Sequence, residues 1–158
     1  MQDIEPMQSQ VGHEEPFATQ FSVFLANRVG KLRDLLVSLA KAGITLHGFS
    51  IVDSSEWAVV RMICSDPAKA RALLQAEGLG YTEKAVILAE LPADDSMADI
   101  CSLLIRAEIN IAFAYPLQIR SHQRPVMVLR TDDHTLAVHL LVRNGYTLLG
   151  SEDLADPR

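Results

Sequence analysis

An apolar register that recurs after 65 positions and then after 67, together with a β-α-β-β-α-β order of periodic segments in each half, predicts an α+β chain. It consists of two ferredoxin-like βαββαβ repeats with antiparallel sheets and helices on one face, paired side by side. Leu32, Leu35, Leu36 and Leu39 stand 65 positions before Met97, Ile100, Cys101 and Leu104, and Ala42, Ile44 and Leu46 stand 65 before Ala107, Ile109 and Ile111. The offset then becomes 67, pairing VVRMICSD at 59–66 with VMVLRTDD at 126–133, and Leu73, Leu74 and Gly78 with Leu140, Leu141 and Gly145. Two extra residues therefore sit in the second hairpin, near SHQRP. An offset that changes only in a loop is the trace left by duplication of a folded unit.

Taken in order, residues 1–19 carry Asp3, Glu5, Glu14 and Glu15 with Pro6 and Pro16, and read as a flexible acidic tail. Repeat one spans 20–84, repeat two 85–154, and 155–158 form a short C-terminal tail. Order begins at Phe21, where Phe21, Val23 and Leu25 alternate as in a strand. A helix follows Gly30 and stops near Ala42 and Gly43. ITLHGFSIVDS and EWAVVRMICS read as strands joined through Asp53, Ser54, Ser55 and Glu56. Asp66 as N-cap and Pro67 at the first helical position start a second helix that Gly78 ends, and a short strand near Tyr81 and Thr82 closes the repeat. In the second repeat, Ile109, Ile111, Phe113, Tyr115 and Leu117 alternate on one expected face. Sheets of this kind leave edges open, so edge-to-edge pairing of the halves and a homodimer are the expected remedies.

Composition narrows the function classes. A chain of 158 residues, 49% hydrophobic, can bury a sizeable core. A formal charge of −6 and scattered Lys and Arg argue against nucleic acid, and the absence of a long apolar run or a basic-then-apolar leader argues against a membrane span or secretion. A cytoplasmic address follows. Cys64 and Cys101 are far apart and read as buried thiols, and the five histidines are dispersed, so no metal site and no cofactor are expected. No catalytic constellation emerges: Asp53 and Glu56 read as turn residues, Trp57 as packing, and Arg61 as pairing with an acid or meeting a ligand.

The turn Asn27-Arg28-Val29-Gly30-Lys31-Leu32 is the most informative local feature. A glycine where a strand hands over to a helix can take positive φ, and the helix start offers unpaired N–H groups suited to a carboxylate. The hexapeptide resembles the first turn of ACT domains, regulatory amino-acid-binding modules, which commonly reads Asn-x-Pro-Gly-x-Leu; Val29 stands where proline is usual. AGITLHGFSIVDSSEWAVVRMICSDPAKA, INIAFAYPL and GYTLLGSEDL extend the resemblance to small stand-alone tandem ACT proteins over residues 20–154. The resemblance implies a binding module, not an enzyme, for an amino acid or similar small carboxylate. The ligand carboxylate would lie on Asn27, Arg28, Val29, Gly30, Lys31 and Leu32, and the remainder would face His47, Gly48 and Phe49, from the same or an adjoining module. Regulation would act through ligand-linked assembly or partner contact; the alternative is a ligand-free subunit that docks on a metabolic enzyme. The second turn, Leu91 to Met97, has no glycine, and Asp94, Asp95 and Ser96 would cap its helix.

Overall fold

The computed structural model describes residues 16–54, 56–92 and 97–155. Its elements run β1 (Ala18–Ala26), α1 (Lys31–Lys41), β2 (Leu46–Asp53), β3 (Trp57–Cys64), α2 (Pro67–Ala76) and β4 (Gly80–Glu90). They continue with α3 (Met97–Arg106), β5 (Ile111–Ser121), β6 (Arg124–Thr131), α4 (His134–Arg143), β7 (Leu148–Leu149) and α5 (Ser151–Ala155). The expected βαββαβ order is present twice.

The sheet order is β2-β3-β1-β4-β6-β5, with β7 also on β4. The halves form one continuous sheet, but through a shared strand: β4 pairs β1 up to Val86 and pairs β6 from Ile87 onward. The strand expected near Tyr81 and Thr82 is therefore the first part of an eleven-residue strand whose second part opens the next repeat.

Core positions follow the repeat. Phe21, Leu35, Leu39, Ile44, Met62, Ala70 and Leu74 fill the space between the first sheet and α1 and α2. Ile87, Ile100, Leu104, Ile109, Leu129, Ala137 and Leu141 do the same in the second half. Each of the larger side chains among them, the alanines apart, contributes roughly 1.5–3 kcal/mol by leaving water. A third cluster, including Ala18, Ile63, Val86, Leu88, Tyr115, Leu117 and Val128, lies on the helix-free faces of both halves and joins them. Ala18 and Gln20 belong to that face, which is why β1 starts at Ala18, ahead of the alternation that begins at Phe21.

Two bulges set which residues enter it. The β2–β3 register shifts between Leu46 and Gly48, and the β5–β6 register shifts between Ile111 and Phe113, the same place in each repeat. An extra residue moves the side chains beyond it to the opposite face. Ile109 and Ile111 thus pack toward the helices, whereas Phe113, Tyr115 and Leu117 pack between the sheets, correcting the single face expected for all five.

Polar contacts cross this joint. The Tyr115 hydroxyl donates to Gln20 Oε1 at 2.6 Å, and the Gln20 side chain is wholly buried. Burial also raises the Tyr115 phenol above its ordinary range, so it remains a donor. Tyr115→Phe leaves Gln20 without that donor and is expected to cost about 1–3 kcal/mol. Urea unfolding should show a lower midpoint with unchanged slope.

Candidate functional site

The β1–α1 turn and the β2–β3 hairpin are tied together at one end of the first repeat. Asn27 Nδ2 donates to Asp53 Oδ1 at 3.2 Å and to the Ser54 carbonyl at 3.4 Å, while the Asn27 N–H reaches the Glu56 carbonyl at 3.3 Å. Asp53 is thus a member of the turn as well as a hairpin residue. Gly30 sits at φ 87° and ψ −11°, and Val29 is fully exposed beside it. Left-handed backbone at this point accounts for the glycine.

The helix that starts after Gly30 differs from two others in the chain. Helices α2 and α4 begin with Asp66 and Asp133, whose carboxylates accept the Lys69 and Leu136 N–H groups at 3.0 Å. Helix α1 has no side-chain cap. The Lys31 N–H donates to the Arg28 carbonyl at 3.3 Å, so the Leu32 and Arg33 N–H groups and the positive end of the dipole meet whatever lies in front of them.

Two clefts lie there, and Arg28 and Lys31 line both. One, of about 350 Å³, is walled by Leu25, Leu32, Ile51 and Val60 with Asn27 and Asp53 at its polar end. The other, of about 540 Å³, lies on the β4 side against Phe24, Trp57 and Gly80. All six predicted turn residues, 27–32, are accordingly together, although Val29 and Gly30 do not line either cleft.

His47, Gly48 and Phe49 are placed elsewhere. His47 is buried at the bulge, and its Nε2 donates to the Leu154 carbonyl of α5 at 2.7 Å. Gly48 lies against Leu117, and Phe49 packs on the first core. At about 3.3 Å per residue, the six strand positions from His47 to Asp53 span roughly 20 Å. Within one chain these three residues do not face the turn. The expected caps Asp94, Asp95 and Ser96 lie outside the described residues.

Other sequence candidates resolve individually. The Arg61 guanidinium lies 4.0 Å over the Phe113 ring, a cation–π contact across the joint between repeats. Trp57, read as packing, is 51% exposed. Cys101 is partly exposed, whereas Cys64 is buried and burial pushes its thiol up to about 12. Cys64 should therefore resist a thiol reagent near neutral pH; the native protein is expected to titrate at most one thiol and the denatured protein two, checked with a chromogenic disulfide.

One cluster was hidden from the sequence because its members are distant in it. Glu90 is buried, accepts from Ser121 Oγ at 3.0 Å, and lies 3.1 Å from His122 Nδ1 and 3.8 Å from Arg124. His122 Nδ1 also faces Ser121 Oγ at 3.2 Å. A nucleophilic triad needs the two imidazole nitrogens to serve the hydroxyl and the acid separately. Here one nitrogen meets both, so the cluster closes a hairpin over a buried carboxylate. Among the described residues no group of three His, Cys, Asp or Glu side chains could hold a metal, and no helix is long and apolar enough to cross a membrane.

The duplicated βαββαβ fold, with this glycine turn in its first repeat, agrees with the comparison to known families: residues 17–157 match the ACT domain pair. The chain belongs to that family. Among solved structures, this ACT domain pair resembles protein BT0572 from Bacteroides thetaiotaomicron at 25% identity and a TM-score of 0.80, over 89% of this chain and 96% of that one. It shares its fold with the regulatory subunit of aspartate kinase from Thermus thermophilus in ligand-free form, at 13% identity and a TM-score of 0.54, over 80% and 91% of the two chains. A structure of aspartokinase alpha and beta subunits aligns at 16% identity and a TM-score of 0.51, over 80% and 95%. No curated protein sequence matches. ACT domain pairs are regulatory modules, and the present chain shares their architecture throughout.

Proposed function

We propose that this ACT domain pair is a regulatory module that binds a small amino acid at the first-repeat turn and transmits the event through assembly or contact with a partner enzyme. The observation that carries the reading is the uncapped start of α1, which opens beside Arg28 and Lys31 onto a cleft with Asp53 at its other polar point. A zwitterion matches that arrangement. Its carboxylate meets the N–H groups and the two cations, and its ammonium meets the Asp53 carboxylate. Leu25, Leu32, Ile51 and Val60 leave an apolar space for a short aliphatic side chain. The volume, about 350 Å³, is at the lower end of ordinary ligand sites. In this reading His47, Gly48 and Phe49 do not form the ligand's wall, because His47 is buried against Leu154, Gly48 lies against Leu117 and Phe49 packs on the first core.

Thermal unfolding with each of the twenty amino acids is the direct test. A ligand present at a hundred times its Kd adds about 2.7 kcal/mol, which for a chain of this size raises Tm by roughly 5–10 °C. A shift for short aliphatic amino acids, absent with the matching carboxylic acids that lack an amine, supports the reading. No shift with any of the twenty at millimolar concentration rejects it and leaves the ligand-free docking subunit.

A further inference from the structure

We propose that Arg61 anchors a second binding site, on the face of the first sheet opposite the helices, for a monocarboxylate with an apolar body. In β1 and β3, Phe21, Val23, Val60 and Met62 pack toward the helices, so Ser22, Phe24, Val59 and Arg61 point the other way. Arg61 opposes Ser22 on β1 and Ser50 on β2, and Ser22 in turn opposes Thr82 on β4. A guanidinium therefore stands among three hydroxyl side chains in one row across four strands. On one side of this row Ile63 is covered by the second repeat; on the other, Phe24, Val59 and Val52 form an apolar row that reaches solvent. The polar row is the rim of the joint between repeats.

The charge on that rim is not balanced by an acid. Arg61 is half-buried and held over the Phe113 ring, and among the described residues it has no ion pair and no hydrogen-bond acceptor. Burial keeps the nearby Tyr115 phenol protonated, so it supplies no counter-charge. A guanidinium stacked on a ring still has N–H groups at its rim, and a carboxylate can accept two of them at once. The hydroxyl beside it is set to donate as well. Tyr115 donates to Gln20 Oε1 at 2.6 Å and Gln20 Nε2 donates to Ser22 Oγ at 3.5 Å, which leaves the proton of Ser22, a side chain only 8% exposed, for an acceptor within the row.

The duplication supplies an internal control. In the second repeat the row Leu88, Val128 and Tyr115 stands where Ser22, Arg61 and Ser50 stand in the first, and all three are buried in the joint. The fold therefore does not require a cation at this place. The same face also selects the ligand. Its strand positions in the first repeat carry no acid: β2 presents Gly48, Ser50 and Val52, and β4 presents Gly80, Thr82 and Lys84. An ammonium would find no partner there, which sets this site apart from the amino-acid cleft at the α1 turn. Lys84 lies two strands from Arg61, roughly 10 Å, so one guanidinium meets the head group and a single negative charge suffices. The apolar row begins two residues further along the strands, roughly 7 Å from Arg61, so the body must be longer than that of a short acid. A medium-chain fatty acid has this form.

The test uses the full chain and decanoate below its micelle concentration. Calorimetry should show saturable binding, and Trp57, the only tryptophan and next after Val59 on this face, should shift its emission to the blue. Decanol, with the same body and no charge, should bind about 10-fold more weakly or less, and butyrate should leave Trp57 unchanged. Arg61→Gln should weaken decanoate binding by about 10-fold or more, and Arg61→Lys by less. Ser50→Ala, on the edge strand, removes one hydroxyl without touching the Phe113 contact and should cost about 3-fold. Gly30→Asp should leave decanoate binding intact, so this site and the one at the turn stand or fall separately. No saturable binding, equal affinity for decanol and decanoate, or an affinity unchanged in both folded Arg61→Gln and Ser50→Ala would overturn the proposal.

Discussion

Gly30→Asp is expected to reduce amino-acid binding by about 100-fold or more while the protein remains folded. A Cβ at Gly30 meets nothing within 4 Å, so no side chain has to move. The backbone is the cost: φ is +87°, a region that disfavours an L residue by about 1–2 kcal/mol and disfavours Asp and Asn less than others. Negative charge at the start of α1 returns roughly 0.3–1 kcal/mol of that. Binding suffers more, because the new carboxylate competes for the same N–H groups and repels the ligand's own, and each lost buried hydrogen bond to a charged group is worth about 1.5–3 kcal/mol. Gly30→Asn is the matched variant, since it has nearly the same shape and backbone preference without the charge. Calorimetry should rank glycine, asparagine and aspartate in falling order of affinity. Equal affinity in all three folded proteins would exclude the turn as the carboxylate site.

The parts of this fold that were legible in the sequence are those where one residue type has one physical use. Leu35 and Ile100, Leu39 and Leu104, and Ile44 and Ile109 keep the register because both members of each pair are buried against a sheet. Asp66 was readable as a cap because an acid before Pro67 satisfies a helix start, and Asp133 repeats it without the proline. The bulges were not readable. A strict alternation across INIAFAYPL conceals the extra residue between Ile111 and Phe113, so the faces assigned to Ile109 and Ile111 needed correction. The length of β4 was also hidden, since one strand serves two repeats only when the two sheets are known to adjoin. At the site, the hexapeptide 27–32 announced itself through its glycine, but the link from Asn27 to Asp53 is a contact between residues 26 positions apart. Trp57 was misjudged because a lone aromatic in a strand says nothing about which face the neighbouring repeat covers. Glu90 joined Ser121 and His122 for the same reason: burial was decided by a hairpin 31 residues away.

Gly48→Ala is expected to destabilise the protein by about 1–3 kcal/mol through the joint between repeats, and Gly48→Val by more. A Cβ on Gly48 would lie 2.6 Å from Leu117 Cδ2, closer than carbon atoms sit in native packing, and 3.5 Å from the Leu117 Cα, an ordinary contact. Leu117 is 8% exposed and belongs to the cluster that joins the two sheets, so its freedom to move aside is small. The glycine thus permits the close approach of β2 to β5. Leu117→Ala alone should cost about 2–5 kcal/mol by leaving a cavity in that joint. In the Gly48→Ala background, however, the shortened side chain makes room for the added methyl group, so the double variant should be more stable than the sum of the two losses predicts, by about 1 kcal/mol or more. Urea unfolding of the four proteins completes the cycle. Strict additivity would mean that Gly48 and Leu117 do not touch, and that the sheets are joined elsewhere.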